Sequence, residues 1–175
     1  MAQRPAPALG SVEICPPEGG SVMKKFLRSS NDLTIALMRL VLGIVFFAHG
    51  SQKAMGWFGG YGWNGTMHAF TGMLHIPAFF AGCAILAEFV GGILLIVGLF
   101  SRLAALGIAI VMMVAILKVH LHNGLLGTPQ APGFEHPLVC LALAVLIIMK
   151  GGGALSLDRL LAREADEPKH ATVSA

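Results

Sequence analysis

The distribution of charged residues is the feature that most restricts the fold of this 175-residue chain. Only six charged side chains occur in the 117 residues from Leu33 to Met149, whereas fifteen occur in the 58 flanking residues. The six are Arg39, Lys53, Glu88, Arg102, Lys118 and Glu135. A water-soluble fold needs polar side chains over its whole surface, so the apolar middle excludes a soluble single domain. The same apolar content excludes a largely disordered chain.

Four apolar segments lie in this middle region, and spanning a bilayer takes about 20 residues. They are Leu33–Lys53, Pro77–Phe100, Arg102–Leu121 and Glu135–Lys150. The last segment is short and is expected to tilt less than the others. A cleaved signal peptide in place of the first span is disfavoured by Arg39 and by the lack of a small-residue cleavage site. The sequence therefore predicts an all-α fold, a four-helix transmembrane bundle.

Lysine and arginine residues cluster on one side of the predicted spans. They are Lys24, Lys25, Arg28, Arg102, Lys150, Arg159 and Arg163. The opposite connections hold only Lys53 and Lys118, both at span edges. Because short cytoplasmic loops carry an excess of Lys and Arg, both the N- and the C-terminus are predicted to be cytoplasmic. An even number of spans agrees with this orientation.

The two ends of the chain differ from the middle in composition. Residues 1–30 are predicted to be a disordered N-terminal tail, since they are rich in Pro, Gly and Ala and show no periodicity. Met23 opens the string MKKFLRSSND, which is typical of a natural start, so it stays open whether residues 1–22 belong to the natural protein. The four-span membrane domain is predicted to cover residues 31–161, and residues 162–175 are predicted to be a flexible C-terminal tail.

Glu88 stands near the centre of the second predicted span, where a charge is most costly. It is expected to be protonated or paired with a cation, and by depth the nearest candidate is Arg39. Two interpretations stay open and do not exclude each other. The pair is a structural ion pair, or Glu88 and Arg39 are catalytic groups that handle protons.

A layer of polar residues is predicted at the outer ends of the spans. His49 and Lys53 share a helix face with Arg39, while Lys118 and His122 share a face because they are four residues apart. Four antiparallel helices would bring the layer together above Glu88 as a candidate substrate-binding pocket. Its predicted residues are His49, Lys53, Lys118, His122 and Glu135.

The nature of any cofactor stays open from the residues alone. His49 with His120 or His122 can supply two ligands, but their spacing specifies neither a metal nor a haem, so no metal site is predicted and a haem is not expected. A polar pocket for a quinone head group beside an apolar groove is equally compatible with these residues. The sequence has no stripe of basic residues and no aromatic platform for stacking bases, so a nucleic-acid partner is not expected. The expected partner is the lipid bilayer around the apolar spans.

Several strings in the chain resemble the DoxX family of small bacterial membrane proteins. They are LMRLVLGIVFFAHGSQKAMG (Leu37–Gly56) followed by WFGG, AEFVGGILLIVGLFSR (Ala87–Arg102), VHLHNG (Val119–Gly124), GFEHP (Gly133–Pro137) and GGGALSLDRLL (Gly151–Leu161). The resemblance covers residues 33–161 and implies a multi-pass protein of the bacterial inner membrane. It also places five residues in the family's recurring polar motifs. These are Arg39, His49, Lys53, Glu88 and Glu135.

Relatives in this family include a subunit of a thiosulfate:quinone oxidoreductase. The resemblance therefore implies, at most, a membrane subunit of an oxidoreductase complex that passes electrons from a sulfur compound or another small donor to quinone, with a soluble or membrane redox partner. Some redox relatives carry paired cysteines, which this chain lacks, and this argues against thiol–disulfide chemistry. Two alternatives stay open: a non-catalytic scaffold or receptor for a soluble partner, and a small-solute or proton pathway that would need a homo-oligomer.

Overall fold

The computed structural model describes residues 32–164, which are helical and contain no β-strand. The helices are α1 (Leu33–Met55), α2 (Gly62–His68), α3 (Ala78–Val97), α4 (Ser101–Ala115), α5 (Glu135–Lys150) and α6 (Leu157–Glu164). Helix α2 continues as a π-helical turn, Ala69–Met73, and α4 continues to Asn123 through a π-helical and a 3-10 turn. The predicted N-terminal tail and residues 165–175 lie outside the described residues.

Local sequence signals explain where the long helices begin and end. The Asp32 side chain accepts a hydrogen bond of 2.8 Å from the Thr34 N–H and so caps α1. Helices α1, α3 and α5 each end at a glycine with positive φ, namely Gly56, Gly98 and Gly151. Glycine adopts this left-handed conformation without steric cost, so it terminates an apolar run that would otherwise continue as helix.

Three of the helical segments are long and apolar enough to cross a membrane. They are Leu33–Met55, Ala78–Val97 and Ser101–Asn123. Many of their large apolar side chains face outward, including Ile44, Phe79 and Ile110. An apolar outer surface of this kind suits contact with lipid and not with water. The all-α prediction and the first three predicted spans are thus confirmed, whereas α5 has only 16 residues and is not among the candidate spans in the described part of the chain.

Glycines set the close approach of α1 and α3. A Cβ atom on Gly50 would lie 2.4 Å from the backbone N and Cα of Phe89, and one on Gly92 would lie 2.4 Å from the backbone N of Phe47. Farther along α1 toward its N-terminus, Gly43 faces Ile96. Residue numbers therefore fall along α3 as they rise along α1, so the two helices run antiparallel with their backbones in contact.

The remaining packing joins the helices through one apolar core. Helix α1 packs against α3 and α5, and α4 packs against the same two helices. The core side chains with least exposure include Leu42, Phe46, Leu95, Ile108 and Ile147. We call the end that holds Asp32, the α3–α4 turn and α6 the terminal end, and the end that holds residues 56–77 and 124–134 the loop end.

Candidate functional site

The buried carboxylate of Glu88 is paired with Lys53. Glu88 lies in the middle of α3 and is only 1% exposed, while Lys53 lies in the last turn of α1 with 30% of its side chain accessible. Lys53 Nζ donates to both carboxylate oxygens, each at 2.5 Å. A buried carboxylate requires such a partner, since an isolated charge in a medium of low dielectric constant is costly.

The expected pairing of Glu88 with Arg39 is wrong, because the register of α1 against α3 separates them. Arg39 Nη1 donates to the carbonyl of Leu95 at 2.7 Å. Leu95 is seven residues beyond Glu88, which is about 10 Å along a helix axis. The prediction aligned the midpoints of the two spans, whereas the structure places Gly43, near the middle of α1, opposite Ile96 near the end of α3.

One aromatic ring lies beside Lys53, and two imidazoles lie in the same part of the molecule. The centre of the Phe70 ring lies 5.8 Å from Lys53 Nζ, a cation–π distance. His49, one turn before Lys53 on α1, has its ring centre 5.9 Å from that of His136 on α5. His136 Nε2 lies 3.8 Å from the Cys140 sulfur. The loop end thus holds a cation, a buried carboxylate and two imidazoles on three helices.

Three other predicted pocket residues lie exposed at the loop end. Lys118 is in the π-helical turn after α4, His122 is in the 3-10 turn that follows, and Glu135 is the first residue of α5. In residues 32–164, Glu88 forms its ion pair with Lys53 and not with Lys118. The structure therefore joins Lys53 and Glu88 directly and places His49 one helical turn before Lys53, and the role of the other three stays a prediction.

The sequence indicated His120 only as a possible metal or haem ligand beside His49, whereas the structure shows that it holds a connecting segment in place. Its Nδ1 donates to the Pro132 carbonyl at 2.8 Å, and the Asn123 side chain donates to the same oxygen at 3.0 Å. These two bonds fasten the 124–134 connection to the end of the α4 segment. Phe70 and His136 were also left out of the predicted site; only His136, adjacent to Glu135, carried a sequence signal.

Arg39 belongs to a second charged cluster at the terminal end, which we call the turn cluster. It comprises Arg39, the α3–α4 turn, Leu155 and Asp158. Besides the Leu95 carbonyl, the Arg39 guanidinium donates to the carbonyls of Ile96 at 3.4 Å and Leu155 at 3.1 Å. A cation is favourable at the C-terminus of a helix, where carbonyls lack helical partners.

Asp158 of α6 supplies the opposite charge in the turn cluster. Its carboxylate accepts from the backbone N–H groups of Phe100 at 2.6 Å and Ser101 at 2.9 Å, at the start of α4. Asp158 is 4% exposed and Arg39 is 3% exposed. An anion is favourable at a helix N-terminus, so the two side chains stabilise the end of α3 and the start of α4. The sequence placed Asp158 in a charged segment and gave no sign of this burial.

The two clusters differ in what they can do chemically. The turn cluster bonds its charges to backbone groups and so has a structural role. At the loop end, the charges bond to each other, and the ammonium group is partly accessible to a ligand. In residues 32–164, no group of three or more His, Cys, Asp or Glu side chains is placed to hold a metal ion.

Comparison with known proteins agrees with this architecture. The sequence profile of the DoxX family matches residues 34–121. The chain is 29% identical over 132 residues to a Bacillus subtilis (strain 168) protein named "Putative oxidoreductase CatD", covering 75% of this chain and 90% of that protein. It is 30% identical over 151 residues to the Mycobacterium tuberculosis (strain ATCC 25618 / H37Rv) protein named "Uncharacterized membrane protein Rv3486", covering 81% and 89% respectively.

A third relative, from Haemophilus influenzae (strain ATCC 51907 / DSM 11121 / KW20 / Rd), is named only "Uncharacterized protein". It is 32% identical over 125 residues, which cover 71% of this chain and 87% of the relative. No solved structure gives a significant match to the chain. The relatives thus support membership of a membrane-protein family, and the name of the Bacillus subtilis relative refers to an oxidoreductase.

Proposed function

The chain belongs to the DoxX family of membrane proteins, and from this starting point we propose that it is a membrane subunit of an oxidoreductase complex that binds quinone. The proposed acceptor site is the Lys53–Glu88 pair. The observation that carries the proposal is a buried carboxylate held by an ammonium group that is still 30% accessible. A partner subunit and a small donor, such as a reduced sulfur compound, complete the proposed reaction.

The proposed topology has four spans in the bacterial inner membrane with both termini cytoplasmic. The 16 residues of α5 extend about 24 Å, somewhat less than the ~30 Å hydrocarbon core. The contacts of α5 with α1 and α4 support its insertion beside them as a fourth span. Arg102, Lys150 and Arg159 lie toward the terminal end, and this distribution of basic residues supports a cytoplasmic orientation for that end.

Lys53 has the chemistry that a quinone head group requires. A quinone carbonyl oxygen accepts hydrogen bonds, and the ammonium group carries three N–H donors, of which Glu88 does not need all. The Phe70 ring beside Lys53 offers an apolar surface to the quinone ring. The apolar outer surface of the helices leaves a route through the lipid for an isoprenoid tail.

Reduction of a quinone to a quinol consumes two electrons and two protons. In the proposal, the electrons come from the small donor by way of the partner subunit, because cofactors carry such chemistry in most redox enzymes. His49 and His136 are exposed titratable groups at the loop end. They are the proposed source of the protons, since an imidazole ring can both donate and accept a proton. The redox name of the Bacillus relative supports this class of reaction.

Binding of decylubiquinone to the purified protein in phosphatidylcholine nanodiscs tests the proposed site. We expect saturable binding by the wild type and about tenfold weaker binding by Lys53→Met, because a hydrogen bond from a charged donor is lost. Lys150→Met is the matched control: it removes the same charge from an exposed position at the terminal end and should leave the Kd unchanged.

Two outcomes of this titration would contradict the proposal. Absence of saturable binding by the wild type would reject a quinone site in the protein, and equal Kd values for wild type and Lys53→Met would reject Lys53 as its donor. Quinone reduction by thiosulfate in proteoliposomes, with the candidate redox partner added, then tests turnover. Loss of this activity in Lys53→Met but not in Lys150→Met is expected.

The two imidazoles at the loop end and the Lys53–Glu88 pair also support a second candidate function, a proton pathway. In this proposal, His49 and His136, whose ring centres lie 5.9 Å apart, pass protons between the exposed loop end and the Lys53–Glu88 pair. The pathway would need a homo-oligomer to cross the whole membrane. Proton flux into dye-loaded vesicles tests it, with Glu88→Gln expected to abolish the flux. A scaffold role through the charged tail segment Asp158–Lys169 has less support, since Asp158, its first residue, is buried in the turn cluster.

A further inference from the structure

A small groove at the terminal end of the molecule has no role in the site described above. It lies between the last turn of α3 and the segment that leads into α6, with a volume of about 310 Å³. Its lining residues are Val97, Leu155, Ser156, Leu157, Arg159 and Leu160. All four apolar members are exposed, and Leu155 is 81% exposed. The groove is therefore an apolar surface left uncovered by the chain itself in residues 32–164.

The position of α6 explains why apolar side chains are exposed there. Its Asp158 side chain points into the turn cluster, while Leu157, Leu160 and Leu161 remain on the surface. A helix with one face on the protein and leucines on the other suits the boundary between headgroups and acyl chains. Val97 is the last residue of the α3 span, so the groove opens directly onto the lipid-facing surface.

The charges around the groove favour an anionic occupant. Arg159 forms part of the groove wall, and Lys150 ends α5 at the same end of the molecule. Basic side chains near the membrane surface attract anionic headgroups.

The groove is also held in shape by the turn cluster. Leu155 has a left-handed backbone conformation, with φ of +57°, and its carbonyl accepts a hydrogen bond from Arg39. The Ser156 hydroxyl donates to the Gly153 carbonyl at 3.1 Å. These bonds fix the backbone that presents the Leu155 side chain, and a preformed site loses less entropy on binding.

We propose that this groove binds one anionic phospholipid of the adjoining leaflet. The phosphate contacts Arg159, and an acyl chain lies along Val97, Leu155 and Leu160. The proposal is independent of the quinone site, because none of these residues contacts the Lys53–Glu88 pair.

Native mass spectrometry of the full chain tests the proposal. The protein is released from mixed micelles that contain equal amounts of phosphatidylglycerol and phosphatidylcholine, and the retained lipids are counted. The measured quantity is the ratio of retained phosphatidylglycerol to retained phosphatidylcholine. We expect this ratio to be well above one for the wild type and about fivefold lower for Arg159→Gln, the effect expected of one basic residue near the membrane surface. Arg159→Lys should keep most of the preference, and Lys118→Gln at the loop end should keep all of it.

Both lipids are counted on the same protein molecules in one sample. A fraction of unfolded protein therefore does not change the ratio of retained phosphatidylglycerol to phosphatidylcholine. To locate the lipid, Leu160 is replaced by the photoreactive residue p-benzoylphenylalanine, and illumination is expected to attach phosphatidylglycerol in preference to phosphatidylcholine. Equal ratios for wild type and Arg159→Gln, or an equal fall in Lys118→Gln, would overturn the proposal. So would equal attachment of the two lipids at position 160.

Discussion

The turn cluster and the Lys53–Glu88 pair place similar charges in one apolar bundle but satisfy them differently. Arg39 and Asp158 bond to backbone carbonyl and N–H groups at helix ends, and both are at least 96% buried. Lys53 and Glu88 bond to each other, and the lysine side chain is 30% accessible. The backbone groups at a helix end are held in place by the chain, so their bonds to Arg39 and Asp158 persist. The partly accessible ammonium group of Lys53 can instead donate a hydrogen bond to a ligand. Two properties therefore distinguish a structural charge from a candidate functional one: whether it bonds to backbone groups or to another side chain, and whether a ligand can reach it.

Arg39→Met should have the largest effect, because it leaves the carbonyls of Leu95 and Leu155 without this donor and removes a positive charge that interacts with Asp158. We expect a loss of about 3 kcal/mol in the free energy of unfolding. Unfolding in dodecylmaltoside by increasing SDS fraction measures it, with Lys118→Met as the control for removal of a basic charge. A change below about 0.5 kcal/mol would show that the turn cluster does not stabilise the fold.

Gly50→Ala should have the next largest effect, since the new Cβ would lie 2.4 Å from the Phe89 backbone. Forcing α1 and α3 apart is expected to cost about 2 kcal/mol and to disturb the Lys53–Glu88 pair, which depends on this crossing. Gly107→Ala is the matched control, because its Cβ would meet the Ala87 side chain at an ordinary 3.5 Å. The same SDS titration compares the two variants, and equal stabilities would refute the close crossing.

Lys53→Met should have the smallest effect on stability, about 1.5 kcal/mol. The carboxylate of Glu88 loses its partner, but the position vacated by the ammonium group is accessible to water, which can hydrate the carboxylate in part. Combining it with Glu88→Gln should restore part of the loss, since the double variant has no unpaired buried charge. The coupling energy from this double-mutant cycle measures the pair directly. A loss as large as that of Arg39→Met would remove the distinction between the two clusters.

Much of the fold could be predicted from local sequence because membrane insertion is a local free-energy balance. The apolar runs marked three candidate spans and the bounds of α5, and Gly56, Gly98 and Gly151 end their helices by backbone conformation alone. The depth argument also selected Glu88 as a charge that needs a partner. Each of these inferences requires only the residues within one segment.

The identity of the partners was decided only by the tertiary structure. Hydropathy does not determine the register of two neighbouring spans to within several residues. Aligning the midpoints of the first two spans therefore predicted that Arg39 pairs with Glu88. Backbone contact at Gly43, Gly50 and Gly92 sets a different register, which brings Lys53 to Glu88 and Arg39 to the end of α3. The burial of Asp158 likewise depends on a contact between residues 57 positions apart. The sequence alone determined which segments are apolar and which charges need partners, whereas helix packing decided which groups meet, because that depends on side-chain shape across helices.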